Sequence, residues 1–171
     1  RYGLFRLGSF RIASTNVFNG GLDAFERLLA DSGQLRQRIR VCFTDSSGSD
    51  AGGLTSEFYT KLWDAIANPA NGLFEGGQDG LLPVATRQPH LLHRLQIVGG
   101  VLAKTAYDGR RAAAGLSLAL FKFLRETPIE PTMNDVIAFD KQLATSLIAI
   151  GAMNDDEIAA LCLEFERPDG T

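Results

Sequence analysis

Apolar residues recurring at helical spacing along most of this chain, broken by a few short alternating runs and by glycine and proline punctuation, predict an α+β fold dominated by α-helices. At 171 residues with 45% hydrophobic content, the chain can bury one sizeable core, as a single domain or as one lobe of a larger protein. No internal repeat and no low-complexity linker divides it. The whole therefore reads as one mostly helical unit with a small hairpin and short strands.

The elements follow in order. Phe10-Arg11-Ile12 has strand character, and Leu22, Phe25, Leu28 and Leu29 then make a short amphipathic helix ending near Gly33. Ile39 to Phe43 alternates and predicts a strand. Thr44 to Ser49 are small or polar and supply loop. Gly52-Gly53 then permits a turn that β-carbons would strain, and a helix runs from about Leu54 to Ala67 with Leu54, Phe58, Leu62 and Ala65 on one stripe. Asn68-Pro69 stops it, because a residue before proline is pushed out of helical geometry. The segments 72–75 and 81–84 flank a glycine-rich tip and predict a β-hairpin.

The longest helical pattern spans about His90 to Tyr107, with Leu91, Leu95, Val98, Leu102 and Ala106 on one stripe and Gly99-Gly100 in its middle. Glycine inside a helix costs about 1 kcal/mol against alanine, so the pair implies close approach of a neighbouring segment. Asp108-Gly109 closes that helix. A further helix is expected from Leu116 to Arg125, another from Thr132 to Phe139 behind a good cap, and another from Asp140 to Ile150 with Leu143, Leu147 and Ile150 together. Asp155-Asp156-Glu157 places acid in a first helical turn, where the helix dipole favours it. Leu161 to Phe165 then alternates like a strand.

Composition removes several functional classes. Charged residues are 22% and the net charge is -3, so the basic footprint of a nucleic-acid binder is missing. No apolar run approaches the roughly 20 residues of a membrane helix, and no signal peptide opens the chain, so a soluble, intracellular protein is expected. Cys42 and Cys162 sit in apolar alternation, where a free thiol behaves as a small hydrophobe.

The motifs with chemical potential fail one by one. Gly115-Leu116-Ser117-Leu118-Ala119 approximates a nucleophile elbow, but His90 and His93 both precede the serine, whereas that fold places its histidine after it. Ser117 is better read as a serine beginning a helix. The two histidines have no companion ligands for zinc. A calcium loop starting at Asp45 would put Asp50 where glycine is needed and Ser56 where glutamate is needed. No metal site, cofactor site or self-contained active site is expected.

Taken in order, the landmarks resemble the first part of a HECT domain, the module of HECT-type ubiquitin ligases. The stretch 43–58 is similar to the family's Phe-x-Gly-Glu-x-Gly-x-Asp-x-Gly-Gly-aliphatic-Ser/Thr-Arg-Glu-Phe line, with Phe43, Gly48, Asp50, Gly52, Gly53, Leu54, Thr55, Glu57 and Phe58 matching. Asn68-Pro69 through Gly72-Leu73-Phe74 resembles its Asn-Pro-x-x-Gly-Leu-Phe. Val98-Gly99 through Tyr107-Asp108-Gly109 resembles its Ile-Gly-Arg helix and the Asp-Gly that ends it, and Phe121-Lys122 its Phe-Tyr-Lys. Asp135-Val136, Asp140, Leu143, Ser146-Leu147 and the run 161–165 follow its next segments.

That resemblance implies the large subdomain of the family's N-lobe, with residues 1–171 forming a partial HECT domain. The small subdomain that docks the ubiquitin-conjugating enzyme, and the C-lobe with its catalytic cysteine, are then expected outside this chain. It further implies a thioester relay in the full-length transferase, with ubiquitin, a conjugating enzyme and protein substrates as partners, in the cytoplasm or nucleus. Neither Cys42 nor Cys162 has the sequence context of the relay cysteine.

Ser14, Ser46, Ser56 and Gly100 depart from residues that the family prefers, which puts several of its polar cross-links in doubt. Asn71, Arg94 and Arg111 stand where some members bind a second ubiquitin through aromatic and aliphatic side chains, and all three are polar here. A noncatalytic interaction module that keeps the lobe's packing is the alternative reading; a hydrolase built on Ser117 is a third.

Overall fold

A computed structural model describes residues 8–45, 53–77, 80–112, 115–125 and 130–163. The fold is α+β and helix-dominated, as expected: eight helices and four strands lie among the described residues. They fall into two compact units, 1–73 with 88–114 and 74–87 with 115–171.

In the first unit, strand β1 (Gly8–Ile12) pairs in parallel with β2 (Ile39–Phe43), in a register that sets Phe10 opposite Val41. Parallel strands need a long crossover, supplied here by helix α1 (Val17–Leu29) and the short α2 (Ser32–Leu35). Gly33 lies within α2 and does not end α1; the Asp31 side chain caps α2 by accepting from the Gly33 N–H at 3.0 Å. Val17, Leu22, Phe25 and Leu28 form the buried stripe of α1.

Helix α3 (Gly53–Ala67) buries Phe58, Tyr59, Leu62, Trp63 and Ile66. Phe10, Phe25, Phe58 and Tyr59 make an aromatic cluster, with Phe10 edge-on to Phe25 at 5.5 Å and Phe58 edge-on to Tyr59 at 5.7 Å. Burying each such ring contributes about 1.5–3 kcal/mol, and each edge-on pair about 0.5–1.5 kcal/mol more.

Helix α4 (Pro89–Tyr107) completes this core, but through Ile97, Val98, Val101, Lys104 and Thr105, and not through the purely apolar stripe expected. Leu91, Leu95 and Leu102 are half-buried and Ala106 is exposed. The buried face is rotated because Lys104 and Thr105 find polar partners inside. The glycine pair divides in function: a β-carbon on Gly100 would lie 2.6 Å from the Leu29 side chain, while one on Gly99 would meet nothing within 4 Å. Close approach therefore explains Gly100 alone.

In the second unit, β3 (Phe74–Gly77) and β4 (Gly80–Pro83) form the expected antiparallel hairpin, whose tip residues 78 and 79 lie outside the described ones. Gly80 has φ +123°, and a β-carbon there would lie 2.6 Å from the Gly115 carbonyl, so only glycine fits. Helix α5 (Leu118–Phe123) starts later than expected, because Leu116 bridges to Leu81 and Ser117 caps the helix. Helices α6 (Met133–Phe139), α7 (Lys141–Gly151) and α8 (Asp155–Ala160) follow.

The expected strand at 161–165 is not formed by its described residues. Leu161 and Cys162 make a turn, with Cys162 at φ +48° and its N–H bonded to the Ala159 carbonyl. Cys162 is accordingly exposed, against the expectation of a buried thiol, while Cys42 is half-buried in β2.

Candidate functional site

The densest polar arrangement joins α3 to the C-terminal end of α4. Lys104 Nζ donates to Asp108 Oδ1 at 2.6 Å and to the Gln37 carbonyl at 2.8 Å, and lies 5.0 Å from the Tyr107 ring centroid. The Tyr59 hydroxyl donates to the other Asp108 oxygen at 3.2 Å. Burial, reinforced by the Asp108 charge, holds that phenol far above the ordinary tyrosine range, so it stays a neutral donor. Arg110 stacks over the Tyr59 ring at 5.7 Å and donates to the Ser56 hydroxyl. One turn inward, Trp63 Nε1 donates to Thr105 Oγ1 at 3.1 Å, and Thr105 donates in turn to the Val101 carbonyl.

Every polar group in this chain of contacts has a partner. Such a network rigidifies the packing of α3 on α4. Of its members Asp108, Tyr107 and Ser56 were marked by sequence, and Lys104, Tyr59, Trp63 and Thr105 were not. Lys104, four residues before Asp108 and on the same helical face, carried the signal that could have found the pair.

Gly109 has φ +65°, which lets the chain turn immediately after Asp108. The run 68–73 is equally local in its logic. The Asn68 side chain accepts from the Ala70 N–H at 3.0 Å, Pro69 begins a single 3₁₀ turn, Gly72 closes it at φ +65°, and Leu73 enters the core. Phe58 belongs to the aromatic cluster and Glu57 to an exposed pair with Lys61 at 2.7 Å.

Asp50 and Gly52 lie outside the described residues. Gly53 does not bear out the expected strain: it opens α3 without a positive φ, and a β-carbon there would meet nothing within 4 Å.

Ser46 lies outside the described residues; the other three departures have local solutions. Ser14 donates its N–H to both Asp45 oxygens at 3.0 Å and its hydroxyl to one, which holds that carboxyl below the usual range, the hydroxyl bond being the larger cause. Ser56 accepts from Arg110. Gly100 makes room for Leu29.

Asn71 and Arg94 are engaged inside the chain: Asn71 donates to the Ala65 carbonyl at 2.7 Å, and Arg94 donates to Asn19 at 3.2 Å and lies over the Phe18 ring at 5.5 Å. Arg111 is exposed. His93 contacts Glu26 at 2.7 Å, and Ser117 caps α5 by accepting from the Ala119 N–H at 3.2 Å, so both have structural roles. Among the described residues no three histidine, cysteine, aspartate or glutamate side chains gather to hold a metal.

The second unit presents the opposite feature. Of the α7 stripe expected from sequence, Leu143 and Leu147 are exposed, at 47% and 40%, and Ile150 is half-buried; Ile148 beside them is 53% accessible, and only Ala144 of that helix is buried. Leu118, Phe121, Phe123 and Leu124 on or beside α5 are exposed as well.

The comparisons with known proteins agree with the family resemblance. The family model HECT-domain (ubiquitin-transferase) matches residues 60–170. The chain is 25% identical, over 99% of its length and 17% of the relative's, to the E3 ubiquitin-protein ligase UPL6 of Arabidopsis thaliana. It is 24% identical, over 86% of its length and 19% of the relative's, to the E3 ubiquitin-protein ligase pub1 of Schizosaccharomyces pombe. With the E3 ubiquitin-protein ligase UPL1 of Arabidopsis thaliana it shares 30% identity over 69% of its length and 3% of the relative's. It thus spans less than a fifth of the length of each of these relatives. A match over most of the chain, with related ligases from a plant and a yeast, places this chain in the HECT-domain (ubiquitin-transferase) family.

Proposed function

We propose that this chain is the N-lobe platform of a HECT ubiquitin ligase and contributes packing surface, with the reacting thiol held elsewhere in the full-length protein. The observation that carries the reading is the HECT match over residues 60–170. Two features of the chain support it. Among the described residues, Cys42 has no hydrogen-bond or charged partner, and Cys162 makes only a long contact to the Ala159 carbonyl at 3.8 Å, so neither thiol has the neighbouring base or cation that activates a nucleophile. The exposed apolar face of α5 and α7 suits a lobe that packs against more of its own protein.

In the relay this implies, a thiolate outside the chain attacks the thioester carbonyl of a ubiquitin-loaded conjugating enzyme and displaces that enzyme's thiolate. A substrate lysine amine then attacks the new thioester, forms an amide and releases the relay thiolate. The partners are ubiquitin, a conjugating enzyme and protein substrates, in the cytoplasm or nucleus.

The chain alone should therefore form no ubiquitin thioester. Incubation with ubiquitin, activating enzyme and a panel of conjugating enzymes should give no reductant-sensitive adduct. An adduct abolished by Cys42→Ala or Cys162→Ala would overturn the reading.

A further inference from the structure

A cavity of about 430 Å³ opens between β1, α1 and α2. Its buried lining is apolar, from Phe10, Ala24 and Leu28, and its exposed lining carries the Arg11 and Arg27 guanidinium groups and the Gln34 amide. No carboxylate stands among its described lining residues. The nearest acidic cap, Asp31, is already occupied by the Gly33 N–H at 3.0 Å and the Gln34 amide at 2.7 Å.

Among the described residues Arg11 and Arg27 make no ion pair, hydrogen bond or ring contact, whereas Arg94 and Arg110 each hold both a hydrogen bond and an aromatic ring. Two unengaged guanidinium groups thus flank an apolar pocket in a chain whose net charge is negative.

The position of the cavity on β1 narrows the ligand further. Ser9, Phe10 and Arg11 all line it. Successive strand side chains point to opposite faces, so three consecutive residues share one cavity only where it runs along the backbone edge. One edge of β1 is bonded to β2, and among the described residues β1 has no other strand partner. The cavity therefore follows the open edge, where a row of backbone donors and acceptors can take another strand.

We propose that this cleft binds an extended peptide segment by strand addition to β1, with peptide carboxylates on Arg11 and Arg27 and an apolar side chain against Phe10, Ala24 and Leu28. Backbone bonding supplies affinity in this mode, and the side-chain pockets supply specificity. Guanidinium forks match carboxylates in geometry as well as in charge.

The test is fluorescence anisotropy with the 171-residue chain and a fluorescein-labelled probe peptide, Phe-Asp-Val-Glu-Val, beside its amide counterpart, Phe-Asn-Val-Gln-Val. The acidic peptide should bind saturably and the amide peptide about tenfold or more weaker. Arg11→Glu and Arg27→Glu should each weaken the acidic peptide about tenfold or more without altering the thermal melt, and Arg38→Glu, away from the cavity lining, should not. N-methylation of the central peptide nitrogen should also abolish binding, because it removes a ladder donor. Equal binding of the acidic and amide peptides, or parent-like binding by both arginine variants, would overturn the proposal. Full competition by inorganic phosphate at matched ionic strength would do the same, since it would assign the cleft to a simple oxyanion.

Discussion

Lys104 and Asp108 form an ion pair at 2.6 Å with only 1% and 11% of their side chains exposed, one helical turn apart at the end of α4. Removing one partner leaves the other charge buried without compensation, which costs about 3–5 kcal/mol. Asp108→Ala should lower the free energy of urea unfolding by about that amount. The double variant Lys104→Met, Asp108→Leu should recover most of the loss, because no charge remains to be desolvated. An Asp108→Ala chain that unfolds at the parent's urea midpoint would show that the pair is not buried in solution.

This pair also shows where sequence reading stopped. A 3.6-residue apolar period placed α1, α3 and α4 within a few residues of where they lie, and Asn68-Pro69 and Asp108-Gly109 marked helix ends that the structure then displayed, whereas Gly72, expected in a hairpin arm, closes a 3₁₀ turn at φ +65°. The face of α4 was misplaced because periodicity counts apolar residues only. Lys104 and Thr105 are buried through Asp108 and Trp63, partners that come together only once the chain has folded. Alternation misled at 161–163, since a positive φ at Cys162 ends the helix in a turn without altering the apolar pattern. At α7 the apolar stripe was legible, but what covers it cannot be read from the stripe itself.

Gly99 and Gly100 are neighbours with opposite expectations. Gly100→Val should destabilise by about 1–3 kcal/mol, because its side chain overlaps Leu29. Gly99→Ala, exposed and open, should stabilise by up to about 1 kcal/mol from helix propensity alone. Thermal melts of the two variants separate packing from propensity. Similar shifts of the same sign would remove the close approach of α1 and α4 from the account.

Asp135 adds one pH-dependent contribution in the second unit. Hydrogen bonding from Lys122, then from the Thr132 N–H and hydroxyl, holds its carboxyl at about 2, below the usual 3.8. A lowered folded value means that this stabilisation is complete above about 3.8 and is lost as pH falls through about 2. Lys122→Met should move the Asp135 carboxyl titration upward, as followed by carbon NMR, but not fully to 3.8, since Thr132 still donates. An unchanged titration would mean that the Lys122 bond does not persist in solution.

On the proposed function, this chain is a platform whose own thiols take no part in the relay. Its most direct test is the thioester formed by the full-length parent ligase with Cys42 and Cys162 both changed to alanine, in a single-turnover reaction with a ubiquitin-loaded conjugating enzyme. The account predicts a reductant-sensitive ubiquitin adduct at the parent's level. Loss of that adduct from a variant whose thermal melt matches the parent's would contradict it, by placing the reacting thiol within this chain.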